Sequence, residues 1–433
     1  MTPQSSFMIL ASVSGPREAE LRRLLASMNE APGRFKADNP LIPFAQLPTV
    51  HYARLLLLDD RTLDDVRVHG ISPRTYPLAL AFLGDVDGDA DAFLVELCRR
   101  APEGLRAVFS CCEGFGAESD LVEWMRAHRV GAAAEYVNWR GRTVERVREE
   151  AALREALQRH GRSPAAELGG RPAREVHATL RRLVLEDVEA GRLRLSPEAP
   201  TPSGWRLRNL LHLVGVPFVL LVAAPLLVVV AVIGLVRLRR LEKTDPELCP
   251  RTDPAAAAEL SALEDHDITN QFSAMGSLKP GVVRLGATMA ALFAIDYGAR
   301  HLYTRGRLAR VRTIHFARWV FLNDRQRVIF LSNYDASLES YMDDFINKVG
   351  FGLNLAFSNG VGYPRTRWLL LDGCGDERKF KEFLRRHQLP TQVWYKAYPG
   401  LTAVDLERNG RIRRGLESSS PTDREARDWL ALL

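Results

Sequence analysis

A run of about 27 residues without formal charge, Leu210 to Val236, stands between two stretches of the chain that resemble each other. It is long enough to cross a hydrocarbon core roughly 30 Å thick as a helix, and too long and uniformly apolar for a buried core helix. The fold must therefore accommodate a membrane segment in mid-chain. Arg206 and Arg208 precede the run, and Arg237, Arg239, Arg240 and Lys243 follow it, so the positive-inside bias selects no orientation. Pro217 and Pro225 lie within it, and each removes a helical hydrogen bond.

On either side the chain repeats itself. Thr49-Val50-His51-Tyr52-Ala53-Arg54, an apolar run and Asp59-Asp60 return as Thr313-Ile314-His315-Phe316-Ala317-Arg318, an apolar run and Asn323-Asp324. Phe82 to Asp87 aligns with Phe330 to Asp335, and at the same spacing Phe109-Ser110 aligns with Phe357-Ser358. Leu338, Tyr341, Met342, Phe345 and Ile346 share one helical face, as do Ala90, Phe93, Leu94, Leu97 and Cys98. A second helix repeats with Leu121, Trp124 and Met125 against Phe380, Phe383 and Leu384, and closes on His128 or His387.

Strands are expected at Tyr52–Leu58, Leu78–Leu83, Phe316–Leu322 and Val328–Leu331, paired as hairpins, and further ones at Phe7–Val13, Leu105–Ser110, Ala132–Val137, Trp368–Leu371 and Gln392–Tyr398. Strands and helices interleaved in this way predict an α+β fold of two ferredoxin-like repeats with one intervening membrane segment. The expected divisions are a first repeat over residues 1–150, a helical linker over 151–205, a membrane segment over 206–242, a second repeat over 265–416 and a tail over 417–433. Val282 to Ile295 aligns with Arg17 to Met28 and reads as an amphipathic helix, packed or membrane-facing.

Thr269-Asn270-Gln271-Phe272, Lys279-Pro280-Gly281, Thr313 to Arg318 and Ser332-Asn333-Tyr334-Asp335 are similar to a bacterial membrane-associated family, uncharacterised in activity, over roughly Asp265 to Arg413. That family in turn resembles the dimeric α/β-barrel superfamily, which includes dye-decolorising peroxidases, chlorite dismutase-like haem proteins and small monooxygenases. The resemblance implies two repeats packed sheet against sheet. It makes haem the cofactor to consider, although the proximal-histidine motif of the haem-binding members is not placed in this sequence. Paired repeats belong in one compartment, which predicts a bent or re-entrant segment that dips into the cytoplasmic leaflet near Pro225 and returns, at the bacterial inner membrane. The rival is a spanning helix whose halves each pair with another chain in a homo-oligomer.

His51 and His315 are the leading site candidates, with Arg54 and Arg318 three residues on. Strand alternation puts histidine and arginine on opposite faces, and a structural histidine competes with a ligand or proton-transfer role. Asn333, Asp335 and Asn359 cluster at strand ends, answered by Asp85 and Asp87; capping and turn closure are the competing role for Asp335 and Asp87. Asn270 and Gln271 have no counterpart in the first half, and Tyr395 is a candidate cavity residue that also suits core packing. These residues make the second repeat the expected ligand-binding half. The net charge of +6 and pI near 9.1 come from arginines scattered among glutamates, and no aromatic-basic module points to nucleic acid. Five cysteines without metal-type spacing read as reduced thiols, and Met1 to Leu10 lacks the pattern of a cleaved signal peptide. Gly350-Phe351-Gly352 lacks the context of a phosphate loop. The expected function is a membrane-anchored protein that binds a hydrophobic or lipid-derived small molecule, with membrane lipid as its partner. A haem-dependent peroxidase-like oxidoreductase and a structural or assembly protein are the alternatives.

Overall fold

Runs of apolar and β-branched residues, buried on both faces, build two antiparallel four-stranded sheets in a mixed α+β structure. The structure, a computed structural model, describes residues 1–163 and 169–433; positions 164–168 of the expected linker lie outside the described residues. The first sheet has the order β1 (Gln4–Ser12), β3 (Ala79–Asp87), β2 (Val50–Leu57), β8 (Val393–Lys396). The second has the order β5 (Thr269–Ser277), β7 (Arg327–Asp335), β6 (Ile314–Leu322), β4 (Ala134–Val137). Each sheet thus takes its edge strand from the other part of the chain.

The registers correspond. Tyr395 pairs with Ala53 and Trp394 with Arg54 at one edge, and Tyr136 pairs with Ala317 and Glu135 with Arg318 at the other. The ladders β2–β3 and β6–β7 both slip at a histidine, between Val50 and Tyr52 and between Ile314 and Phe316. Each bulge inserts one extra residue and re-aims the strand after it. The segment leading into each exchanged strand touches the first strand of its own part, through bridges Ile9–Arg129 and Ala274–Gln388.

Helices cover the outer faces. In the first part these include α1 (Glu18–Ser27), α2 (Ala90–Arg100), α3 (Pro102–Phe109) and α4 (Leu121–Ala127). The expected strand at Leu105–Ser110 is helix α3 instead. Pro102 occupies its first turn, where a missing N–H costs nothing, and Leu105, Val108 and Phe109 recur at helical spacing. Helices α5 (Val144–Arg162) and α6 (Ala173–Glu189) follow. Helix α7 spans Ser203–Thr244, and α8 Pro254–Ser261 leads into β5. The second part carries α9 (Val282–His301), α10 (Leu338–Phe357) and α11 (Glu377–His387), and α12 (Ala403–Glu417) and α13 (Asp423–Leu430) close the chain against α5 and α6. Ser337 caps α10 by accepting from the Ser340 N–H. Helix α10 breaks at Val349 (φ −143°, ψ 29°), and the break between α2 and α3 falls at Ala101 (φ −132°, ψ 45°). Both breaks lie eight residues before a Phe-Ser pair, Phe357-Ser358 or Phe109-Ser110.

Two further expectations need correction. Trp368–Leu371 is not a strand: Trp368 and Leu369 adopt left-handed backbone (φ 59° and 60°) in a turn between two-residue strands Thr366–Arg367 and Leu371–Asp372. The chain also makes no re-entrant turn at Pro225, because α7 is one helix of 42 residues running through both prolines. At 1.5 Å per residue it is about 63 Å long. It is long and apolar enough to cross a membrane, and its most apolar window is 0% buried.

Candidate functional site

The sequence-selected residues divide among five places. Arg54 and Arg318 reach in opposite directions between the sheets. Arg54 donates to the carbonyls of Phe272 (3.0 Å) and Ser332 (2.9 Å), to Ser273 Oγ (2.8 Å) and to Asn333 Oδ1 (2.6 Å). Arg318 donates to the carbonyls of Phe7 (2.9 Å) and Gly84 (3.1 Å) and to the Asp85 carboxylate. Gln271 lies in the same interior and accepts from Thr391 Oγ1 (2.7 Å). Burial pushes the Arg54 guanidinium down to about 9, and Asp85 opposes that shift. The full set of acceptors holds the cation where water cannot, so each arginine fastens one sheet to the other.

At one end of this interior sit two histidine–aspartate pairs. His51 Nε2 lies 2.9 Å from Asp87 Oδ1 and its Nδ1 lies 3.0 Å from Tyr398 Oη; His315 Nε2 lies 2.7 Å from Asp335 Oδ1. The second oxygen of each aspartate accepts the first N–H of a helix, Val144 of α5 (2.8 Å) or Ala403 of α12 (2.7 Å). Both aspartates therefore cap, but on helices remote from their own strands. His315 Nδ1 is buried without a partner beside a cavity of about 20 Å³, which has room for one water.

The remaining candidates stand apart. Asn270 donates to the carbonyls of Asp267 (3.0 Å) and Ala336 (2.9 Å) and closes a turn. Asn359 Oδ1 accepts from Arg284 (3.4 Å) in a buried cluster where Lys279 meets Asp245 (3.0 Å). Tyr395 packs in the apolar core of the first part, stacked 5.4 Å from Phe44. Among the described residues, no single pocket gathers all of these side chains.

The second part does contain a cavity suited to a ligand, which the sequence did not single out. It has a volume of about 190 Å³ between α9 and α10, over the outer face of β6. Ile295 and Gly298 of α9, Trp319 of β6 and Phe345, Val349 and Leu353 of α10 line it. The break at Val349 draws α10 off its regular path here, and Gly298 supplies no side chain to fill the space. Phe351 lies at its edge, 60% exposed, and Phe293 of α9 is also exposed. In the sequence the signal was Gly350-Phe351-Gly352, an apolar residue between two helix-weakening glycines.

One wall of the cavity is α9, which in turn holds α7. The C-terminal turns of α9 hold the start of α7, through Tyr297 Oη to the Leu213 carbonyl (2.8 Å), Arg300 to Asn209 Oδ1 (3.1 Å) and His301 to His212 (2.8 Å). The far end of α7 is fastened to the same part of the protein through buried Leu238 and Glu242. All five cysteines are free, and only Cys249 is exposed. Comparison with protein-family models, characterised proteins and solved structures gives no match.

Proposed function

We propose that the chain is a membrane-bound protein of two ferredoxin-like repeats that exchange their last strands, in the manner of the dimeric α/β-barrel superfamily, and that the second repeat binds an apolar, lipid-derived molecule between α9 and α10. The matched registers, the paired histidine bulges and the paired helix breaks support the duplication. Exchange of β4 and β8 keeps both repeats on one side of the membrane, on this reading the cytoplasmic side. A single crossing by α7 would tear both edge strands from their sheets. Helix α7 then lies within one leaflet with both ends at the headgroups, which accounts for basic residues on both flanks.

The observation that carries the ligand reading is an apolar cavity of about 190 Å³ next to helices whose exposed surface is apolar. An apolar cavity of roughly 150 Å³ holds a benzene-sized molecule, so this one suits a ring or the end of an acyl chain whose remainder stays in the lipid. Haem does not fit the histidines: both are about 1–2% exposed, both are bonded to aspartates, and the free nitrogen of His315 meets a space of about 20 Å³. No step is assigned to haem.

A fluorescent fatty acid added to detergent-purified protein tests the reading. Wild type should bind it saturably, and Gly298→Leu, which fills the cavity, should weaken binding at least about tenfold, or ~1.4 kcal/mol, with unchanged thermal unfolding. Equal binding by the two proteins would refute the assignment.

A further inference from the structure

We infer that the turn at Thr366–Asp372 is a second membrane contact, a tip that puts Trp368, Leu370 and Leu371 into the interface of an anionic leaflet beside the basic end of α7. The inference rests on the membrane reading of α7 and adds a surface outside any predicted span. The three side chains are 46%, 43% and 50% exposed, and no polar residue separates them except the buried Leu369 backbone. A turn on a water-facing surface is ordinarily polar.

The turn is held in this form from below. Glu242 of α7 is 2% exposed, and its carboxylate accepts the N–H groups of Trp368 (2.9 Å) and Leu369 (2.8 Å) and the hydroxyl of Thr366 (2.9 Å). Successive N–H groups converging on one anion require the left-handed backbone at Trp368 and Leu369, which non-glycine residues seldom adopt. From the other side, Asn354 of α10 donates to the carbonyls of Leu370 (2.8 Å) and Asp372 (3.2 Å). Two helices thus fix a backbone whose outward side chains leave about half of their apolar surface uncovered by this chain.

Charge and continuity select the occupant. The Arg239 guanidinium lies 6.0 Å from the Trp368 ring, and Arg237, Arg240, Lys243 and Arg367 are close in sequence to the Glu242 seat or the turn. Tryptophan beside a basic cluster, continuous with an apolar helix, suits the headgroup boundary of an anionic leaflet. The exposed large apolar side chains of the first part, Val68, Ile71 and Val95, form no such arrangement.

The test uses the full chain with Cys249→Ser and one environment-sensitive fluorophore at Leu370→Cys, Leu221→Cys in mid-α7 or Val95→Cys. Each protein is reconstituted into vesicles of phosphatidylcholine and phosphatidylglycerol with brominated acyl chains. The probe at 370 should shift to the blue and lose roughly half its emission, as expected of a group within ~5–10 Å of the headgroup boundary. The probe at 221 should be quenched more, and the one at 95 not at all. Quenching at 221 with a water-like probe at 370 would overturn the tip alone; quenching at neither would overturn the membrane reading as well. A blue shift at 370 that needs no vesicles and grows with protein concentration would assign the surface to a second copy, contrary to the proposal.

Discussion

Arg54 shows how much one side chain can carry here, because its four acceptors all belong to the opposite sheet. Arg54→Met keeps bulk but takes the guanidinium donor from two buried carbonyls and Ser273 and leaves Asn333 Oδ1 with Trp394 Nε1 alone. The expected loss is about 3–5 kcal/mol in chemical unfolding, the cost of breaking a buried polar network on one side. His387 is one residue through which pH acts. Its Nδ1 lies 2.8 Å from the Phe383 carbonyl, so that nitrogen carries the proton, and burial lowers its pKa below the ordinary 6.5. In the unfolded chain the ring takes up a second proton near 6.5, whereas the folded one resists. The stability it contributes is therefore present above about pH 6.5 and is lost as pH falls below it. Unfolding followed from pH 7.5 downward should decline less steeply in His387→Gln than in wild type. Gly276→Ala should also destabilise, by roughly 1–3 kcal/mol, because a Cβ there would lie 2.5 Å from the His387 ring.

Elements were legible wherever local period and tertiary role agreed. The apolar faces of α2, α10, α4 and α11 are helical in the sequence and helical in the fold, and the strands around His51 and His315 lie on the β-prone apolar runs expected of them. Leu105–Ser110 misled because a short apolar run satisfies both periods; Pro102 was the signal for a helix start. Trp368–Leu371 misled for a different reason. Its β-prone residues are held in a left-handed turn by Glu242, a partner over a hundred residues away. The exchange of β4 and β8 left no mark in the sequence, since edge strands of either partner read alike. Site residues fared likewise: their chemistry was visible, but Arg54, His315, Asn359 and Tyr395 serve different contacts. The α9–α10 cavity adjoins a helix break at Val349, which the two glycines at 350 and 352 made possible without marking a cavity. Straightening that break is the element-scale test. Gly350→Ala and Gly352→Ala together favour regular helix by about 1–2 kcal/mol, and saturable binding of a fatty acid should fall if the cavity depends on the break. A Cβ at 350 comes 3.1 Å from Cys374 Sγ, so Gly352→Ala alone serves as the unstrained control.

At the scale of the whole molecule, apolar exposure and strand exchange act together. If, as proposed, the apolar surface of α7 holds the protein in lipid, sodium carbonate should leave the chain in the membrane pellet, and deletion of Leu210 to Val236 should release it. On the proposed reading, the exchanged strands would place everything before α7 and everything after α8 on the same side, so the long helix would not part them. This one-sidedness is the central claim, and accessibility of two exposed sites in intact cells tests it most directly. With Cys249 replaced by serine, single cysteines are placed at Arg162, at the end of α5, and at Arg424, in α13. The account predicts that both escape a membrane-impermeant thiol reagent in intact cells and that both react equally after permeabilisation. Reaction of one site alone in intact cells would contradict it, because α7 would then cross the bilayer and the two halves could not share their sheets.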